Sequence, residues 1–279
     1  MDEPRLTDRP ALLRHRRRAE DAGLADFLHL QAADEVQQRL AEVNRSFTQP
    51  AVVTGFPDLW AGLMPGARVV EDDETLALEP GGHDLVIHAL ALHWADDPVG
   101  QLVQARRALQ PDGLFLGVLF GGDSLAELRA ALAAAEAEEM GGLSPRILPM
   151  GEIRDLGALL QRAGFALPVA DSARLTLRYA DTIAAMRDLR AMGETNALAQ
   201  RHRRPVPRRL IARAAALHAA EAGPDGRVPL SVEMIYLTGW APAEHQPQPL
   251  RPGSATTRLA DALGTRERPL TPGGGGGRN

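Results

Sequence analysis

Two apolar runs, separated by the length of one helix, constrain the fold of this chain more than any other feature. They are HDLVIHAL, residues 83–90, and LFLGVLF, residues 114–120. Their continuous apolar stretches predict strands that are buried on both faces of a sheet. Between them, around residues 98–109, apolar side chains recur at helical spacing. Strands that alternate with helices in this way predict a doubly wound, mostly parallel α/β sheet of the Rossmann type.

The rest of the chain extends this pattern in both directions. We expect earlier strands at 51–54 and 68–70, and two late strands, SARLTLRYA and SVEMIYLTGW, that add an antiparallel hairpin to the edge of the sheet. The organisation that follows is a helical extension over 1–47, an α/β domain over 48–241 with a helical insertion at about 181–222, and a disordered tail over 242–279, which is rich in Pro and Gly.

The composition removes several kinds of chemistry. The 279 residues include no Cys, which excludes thiolate nucleophiles, Cys-ligated zinc and iron–sulfur ligation. They include no Lys either, which excludes a Schiff base and a Walker-type phosphate loop. The net charge of -5 gives no reason to expect nucleic acid as a partner. The basic run at 14–18, RHRRR, is interpreted as a solvated helix face.

The beginning of the chain gives an expectation about location. MDEPRLTDRP contains acidic residues and no apolar run, which is not typical of a secretory signal or a transit peptide. No stretch approaches the ~20 apolar residues that a membrane span needs. We therefore expect a cytoplasmic protein without a membrane span.

The turn after the first predicted strand is where an α/β protein of this kind keeps a cofactor or phosphate loop. Here the stretch is AVVTGFPDLW, residues 51–60, with one glycine, Gly55, where such loops usually carry two or three. Phe56 adds bulk and Pro57 lacks an N–H group, so both oppose close approach of a ligand to the backbone. This loop is interpreted as the remnant of a cofactor loop.

Several separate blocks, in order along the chain, carry a resemblance to a known family. They are LALHWADDPVGQLVQARRALQPDGLFLG at 90–117, AMGETNA at 191–197, DGRVPLSVEMIYLTGW at 225–240 and RPGSAT at 251–256. The chain resembles class I S-adenosylmethionine methyltransferase-fold proteins, and among them the respiratory complex I assembly-factor family, whose mitochondrial member hydroxylates an arginine on an iron–sulfur subunit. The methyltransferase of biotin synthesis that esterifies a malonyl carrier protein is a more distant relative.

The resemblance implies a fold, a cofactor, an activity and a partner. It implies a class I methyltransferase-like fold, S-adenosylmethionine as cofactor, and either methyl transfer or protein arginine hydroxylation. The implied partner is a protein, the iron–sulfur subunit of complex I. The family loop Asp-Leu-Gly-Cys-Gly-x-Gly matches VVTGFPDLW here, and only Gly55 is retained.

The resemblance also assigns cofactor-binding residues. Thr54 and Gly55 lie at the loop, Asp72 or Asp73 matches the carboxylate that accepts from the adenine amino group, and Ala89 and Leu90 end the third strand beside the cofactor. Because a strand–helix–strand unit takes ~30 residues, the chain has room for only one crossover before the third strand. The strand whose acidic residue would hold the ribose is therefore predicted to be deleted.

The motif HWADD, residues 93–97, follows a buried strand at the end where open α/β sheets bind ligands. His93 could act as a base or orient a substrate, and Trp94 could stack on a guanidinium or an adenine, so both are predicted catalytic residues. The alternative is structural, with Asp96 or Asp97 capping the helix that begins at Pro98.

Two further motifs are interpreted as structural. In FGGDS, Ser124 is a predicted N-cap, and Glu127, three positions later, completes a capping box. His83, His88 and His93 invite a metal site, but the odd spacing of the first two places them on opposite faces of a strand. No metal is therefore predicted.

Three hypotheses for function remain open from the sequence. They are a methyltransferase that uses S-adenosylmethionine, a complex I assembly factor that hydroxylates or holds an iron–sulfur subunit, and a binding protein of the same fold that has lost its cofactor pocket.

Overall fold

The fold is described from a computed structural model, in which residues 5–246 and 264–265 are described. The chain divides into two compact units, Met1–Ala243 and Glu244–Asn279. The first contains every helix and strand given below. The predicted disordered tail, 242–279, lies outside the described residues except for 242–246 and 264–265.

Eight α-helices and six strands are described in the first unit. The helices are α1 (Arg9–Ala22), α2 (Phe27–Val43), α3 (Pro57–Leu63), α4 (Pro98–Ala108), α5 (Ala126–Met140), α6 (Ile153–Arg162), α7 (Thr182–Ala191) and α8 (Arg208–Ala219). The strands are β1 (Pro50–Thr54), β2 (Arg68–Glu71), β3 (His83–Ala89), β4 (Leu109–Phe120), β5 (Ala166–Tyr179) and β6 (Val228–Trp240). A short 3-10 helix covers Leu92–Trp94. Within the described part of the chain, no helix is both long and apolar enough to span a membrane.

The six strands form one mixed sheet in the order β2-β1-β3-β4-β6-β5. The four strands from β2 to β4 are parallel, while β6 pairs antiparallel with β4 and β5 pairs antiparallel with β6. The predicted α/β class, a mostly parallel sheet with an antiparallel edge hairpin, is therefore confirmed.

Only one strand–helix–strand crossover lies between β1 and β3 in the described sequence. It runs through α3, a helix of 7 residues, into β2, which pairs directly with β1. The chain then returns through 72–82, without a helix, to β3 on the other side of β1. As a result Asp72, the residue after β2, is brought to the same edge of the sheet as the end of β1.

Helices cover both faces of the sheet and bury its apolar side chains. On one face, α4 and α6 pack through Leu102, Ala105, Leu156 and Leu160. On the other, α2 packs through Leu28, Ala32 and Val36, together with Trp60 of α3. Helices α5 and α8 form a third cluster through Leu128, Leu132, Leu210 and Ala214. Burying so many aliphatic side chains, at roughly 25 cal/mol per Å² of apolar area, supplies the main driving force for this arrangement.

The first turns of α4 and α5 test the two helix caps predicted from the sequence. At α4 the Asp97 side chain accepts from Gly100 N, and Pro98 is the first helical residue, as the capping interpretation predicted. The predicted capping box at α5 is wrong. There the helix follows Leu125, whose backbone is left-handed, with φ 59°.

Contacts with strand β6 explain why Ser124 and Glu127 do not form the predicted capping box. Ser124 Oγ donates to Glu233 O and accepts from Glu233 N, while the Glu127 carboxylate accepts from the N–H and hydroxyl of Ser231. Both side chains thus bind β6, and neither caps the first turn of α5.

Candidate functional site

The carboxyl ends of β1, β2 and β3 meet at one edge of the sheet, and six of the predicted site residues lie there. Thr54 ends β1 and is the register partner of Ala89, which ends β3. Leu90 follows with a left-handed backbone, φ 48°, and donates its N–H to Val118 O of β4. Asp72 and Asp73 follow β2, and Gly55 follows Thr54. The fold therefore brings the predicted cofactor-binding residues together.

The space beside these residues is occupied by a side chain that sequence reasoning missed. Arg16, from α1, is buried, and its two terminal nitrogens donate to the two carboxylate oxygens of Asp72 at 2.8 and 3.0 Å. Arg9, two helical turns earlier on α1, donates to Asp72 at 2.7 Å and to Asp73 at 3.1 Å. Two arginines thus hold one buried carboxylate.

Asp72 is ionised in this environment. Burial alone would raise the pKa of its carboxyl, but the charges and hydrogen bonds of Arg16 and Arg9 outweigh burial and hold the pKa well below its usual range. A buried carboxylate with these partners loses a large part of its stabilisation if either arginine is removed.

Gly55 shows how closely Arg16 approaches the loop. A Cβ added at Gly55 would lie 2.1 Å from Arg16 Cζ and 2.3 Å from its Nη1. The guanidinium therefore packs directly on the glycine backbone, with the Phe56 ring centroid 5.7 Å away. The prediction that 14–18 is a solvated helix face is wrong for Arg16, which shares its face of α1 with the buried residues Leu12 and Ala19.

The residues present do not fit S-adenosylmethionine in the position that the resemblance implies. The methionine part of that cofactor would lie over the glycine of the β1 loop, and here the Arg16 guanidinium fills that space. The carboxylate that would accept from adenine, Asp72, is engaged by two arginines.

His93 and Trp94 lie on the 3-10 helix after β3, and both side chains are buried. They share one partner, Glu194, which follows α7. Trp94 Nε1 donates to Glu194 Oε2 at 2.8 Å, and His93 Nε2 lies 3.4 Å from the same oxygen. Burial alone would raise the pKa of Glu194, but His93, Arg16 and the Trp94 hydrogen bond outweigh burial and lower it.

Glu194 also lines a cavity of about 350 Å³ next to the cofactor position. This volume is within the usual range for ligand sites. Its wall is mostly aliphatic and thioether side chains together with Trp94, and its ionisable members are Glu194, Arg146, Arg190, Arg201 and His202. The lining includes Leu28, Phe120, Leu128, Leu132, Ile147, Met150, Met186, Leu189, Met192 and Ile211. Glu194 falls in the block AMGETNA, which was the only sequence signal that could have pointed to it.

The structure also gives the contacts of Asp96, a predicted alternative cap for α4, and of His88, a histidine considered for a metal site. Asp96 does not cap α4; its Oδ1 accepts from the backbone N–H groups of Leu6 and Thr7 and so anchors the segment that leads into α1. His88 is fully buried, and its Nε2 contacts Gln101 Oε1 at 2.9 Å. Across the described residues, no group of three histidine or acidic side chains is arranged to hold a metal ion.

Comparison with known proteins identifies the relatives of this chain. Residues 60–117 match a methyltransferase domain family, and the match begins after the Gly55 turn. The chain is 38% identical over 210 residues to the Homo sapiens arginine-hydroxylase NDUFAF5, mitochondrial, covering 75% of this chain and 61% of that protein. The Danio rerio protein of the same name is 37% identical over 198 residues, covering 71% and 62%.

A second group of relatives is bacterial. The malonyl-[acyl-carrier protein] O-methyltransferase of Xylella fastidiosa (strain M23) is 38% identical over 178 residues, covering 64% of this chain and 58% of that protein. The chain therefore spans about three fifths of the length of these curated relatives.

Solved structures add a partial likeness in fold. The YcgJ protein from Bacillus subtilis gives a TM-score of 0.44 at 14% identity, covering 70% of this chain and 83% of that one. The phosphoethanolamine N-methyltransferase 2 of Haemonchus contortus gives a TM-score of 0.39 at 11% identity, covering 74% and 53%. The fold class is established by the strand order of the sheet.

The predicted cytoplasmic location is wrong, because the NDUFAF5 relatives are named mitochondrial and point to that location instead. The prediction rested on the first residues of the chain. Since the chain spans only part of these relatives, its first residues give no information about a targeting segment.

These similarities in sequence confirm the resemblance drawn from the sequence blocks. The chain contains a match to a methyltransferase domain family and is similar in sequence to the arginine-hydroxylase NDUFAF5 proteins and, over a shorter stretch, to the malonyl-[acyl-carrier protein] O-methyltransferases.

Proposed function

We propose that this methyltransferase-family protein is an assembly factor of respiratory complex I that holds a protein partner, an iron–sulfur subunit. A side chain of that partner would enter the cavity beside Glu194. One observation carries the proposal. The position of the cofactor is filled by Arg16, while the neighbouring cavity of about 350 Å³ is open to a ligand. The resemblance to the complex I assembly-factor family supplies the partner.

The chemistry of the cavity suits a side chain from a protein. Its apolar wall would bury an aliphatic stem, and the Glu194 carboxylate with the Trp94 indole would receive a cation at the end of that stem. A cationic side chain of the partner meets both requirements. Two of the three arginines in the lining are already paired with carboxylates, Arg146 with Glu136 at 2.6 Å and Arg201 with Asp8 at 2.9 Å.

A second candidate function is hydroxylation of a partner arginine, the activity for which the NDUFAF5 relatives are named. The observation that favours it is the same Glu194 and Trp94 pair, because a carboxylate and an indole face suit a guanidinium. His93 would then orient the substrate through Glu194. The inserted oxygen atom would come from dioxygen, with its second oxygen reduced to water by an external two-electron donor, and the residues of this site would only bind and orient the arginine. Deleting the gene and measuring the arginine of the iron–sulfur subunit by mass spectrometry tests this candidate, and an unchanged hydroxylation level would exclude it.

We expect no binding of S-adenosylmethionine to the wild-type chain. Isothermal titration at high micromolar cofactor should give no heat beyond dilution, because Arg16 and the doubly paired Asp72 leave no room over Gly55. Saturable heat with one-to-one stoichiometry would contradict this expectation and favour a methyltransferase.

We expect Glu194→Gln to weaken capture of the iron–sulfur subunit by about tenfold or more, since a buried charge that receives a cation contributes strongly to affinity. Glutamine keeps the shape and an oxygen that can accept from Trp94 Nε1. Surface-immobilised subunit and purified variants would give the dissociation constants. Glu221→Gln, at an exposed position, is the matched control and should bind as the wild type does. Equal affinity of Glu194→Gln and wild type would count against the cavity as the partner site.

A further inference from the structure

The pocket at the end of β1 has the features of a receptor for a planar cation. Its buried carboxylate, Asp72, offers both oxygens to a guanidinium fork, and the adjoining Asp73 adds a second negative charge. Bidentate pairing of this kind is specific to a guanidinium, because an ammonium group cannot match two parallel acceptors.

The other walls of the pocket complement the flat face of the same group. Gly55 provides a surface with no side chain, which lets the guanidinium lie against the backbone. The Phe56 ring lies within the distance of a cation–π contact. Any side chain at position 55 would remove the flat backbone surface, and an aliphatic side chain at position 56 would remove the cation–π contact.

The hydrogen bonds of Arg16 are made by the terminal nitrogens of its side chain. Its Nε is buried and has no hydrogen-bond partner among the described residues, whereas both terminal nitrogens bind Asp72. The pocket therefore recognises the distal guanidinium, while the stem packs against Gly193, where an added Cβ would lie 3.3 Å from Arg16 Cγ. Anchors at the start of α1 hold it in place, since Asp96 binds Leu6 and Thr7, and Asp8 N donates to Ala197 O.

From this geometry we propose that the pocket at the carboxyl end of β1 is a guanidinium-binding site, and that Arg16 is its built-in ligand. The site excludes a nucleoside cofactor because its own helix supplies the occupant. A small guanidinium compound takes the same place when the Arg16 side chain is removed. The inference goes beyond the proposed function, because it concerns a different site from the cavity.

Chemical rescue of Arg16→Ala in the full chain tests the site. The variant should melt about 10 °C below the wild type, because Asp72 loses its bidentate partner while buried. Millimolar methylguanidinium should recover about 3 °C or more of that loss. Methylammonium, with the same charge and no fork, should recover none of it. The wild type, whose site is filled, should respond to neither cation.

Two further variants make the result decisive. Arg16→Ala combined with Asp72→Asn should lose the response to methylguanidinium, and Arg17→Ala, an exposed neighbour on α1, should melt as the wild type does. If Arg16→Ala does not fold, the yield of folded protein on dilution from urea, with methylguanidinium against methylammonium, gives the same comparison.

Three results would overturn the proposal. They are an equal response to the two cations, no response to either, and stabilisation of Arg16→Ala by S-adenosylhomocysteine without stabilisation by methylguanidinium. Capture of a protein partner by the wild type is measured separately, so failure of this site leaves the proposed function standing.

Discussion

Substituting Gly55 by Ala is expected to destabilise the protein by about 3 kcal/mol, although the change adds only one methyl group. The new Cβ would lie 2.1 Å from Arg16 Cζ, a distance that no pair of non-bonded carbons tolerates. A flexible arginine would normally move away at little cost. Here it cannot do so without leaving the buried Asp72, because its terminal nitrogens make both hydrogen bonds of the pair. Urea unfolding at neutral pH measures the loss.

The double variant Gly55→Ala/Arg16→Ala separates this cause from a general effect of alanine in the loop. With Arg16 removed the clash disappears, so Gly55→Ala should add less than about 0.5 kcal/mol to the Arg16→Ala loss. Gly62→Ala, on the exposed face of α3 with nothing within 4 Å of the new Cβ, is the matched control and should be neutral or slightly stabilising. Additive losses in the double variant would show that the ion pair is not what Gly55 protects.

Acidification from pH about 6.5 to about 4 is expected to remove roughly 3 kcal/mol of stability through His29 alone. Burial between α2 and α3 lowers the pKa of this histidine from 6.5 to about 4, and the nearby charge of Arg16 acts in the same direction while Glu194 opposes it. Trp60 Nε1 donates to His29 Nδ1 at 3.0 Å, which requires that nitrogen to be unprotonated.

The sign of this effect follows from the direction of the shift. Because the folded-state pKa lies below the unfolded value, the unfolded chain takes up the proton first as the pH falls. The stabilisation is therefore complete above pH 6.5 and is lost as the pH falls toward 4.

His29→Gln isolates the contribution of this histidine. Glutamine offers an oxygen to Trp60 Nε1 and does not titrate, so the variant should lose less stability over the same pH interval than the wild type does. His202→Gln, at an exposed position, removes a histidine and should lose as much stability over this pH interval as the wild type does. Urea midpoints across the interval give the comparison, and identical pH dependence in His29→Gln and wild type would contradict the assignment.

Much of the sheet could be predicted from the sequence, because its information is local. The apolar runs at 83–90 and 114–120 were long enough to identify β3 and β4, and the alternation after them identified the edge hairpin. The shortened crossover was also predictable, since the number of residues between two strands limits what can lie between them. Gly55 was identified from its position after a strand end, and Asp72 from the family resemblance.

The occupant of the cofactor position could not be predicted in the same way. Arg16 lies within the run RHRRR, four arginines and one histidine, and such a run is usually solvated. The signal that it is buried, its position on the helix face of Leu12 and Ala19, becomes meaningful only when α1 is packed against the end of β1. Ser124 and Glu127 failed for the same reason, because β6 offered them partners that the local sequence does not contain.

The sequence by itself determined the α/β class, the missing crossover and the presence of only one glycine in the loop after β1. Each of these depends on residue types and spacings along the chain. Only the tertiary structure decided that Arg16 fills the loop and that Glu194 faces a cavity, because those contacts join residues from separate elements of the fold. An arginine becomes a ligand for a buried aspartate when packing removes water from both, and no local pattern of residues specifies that event.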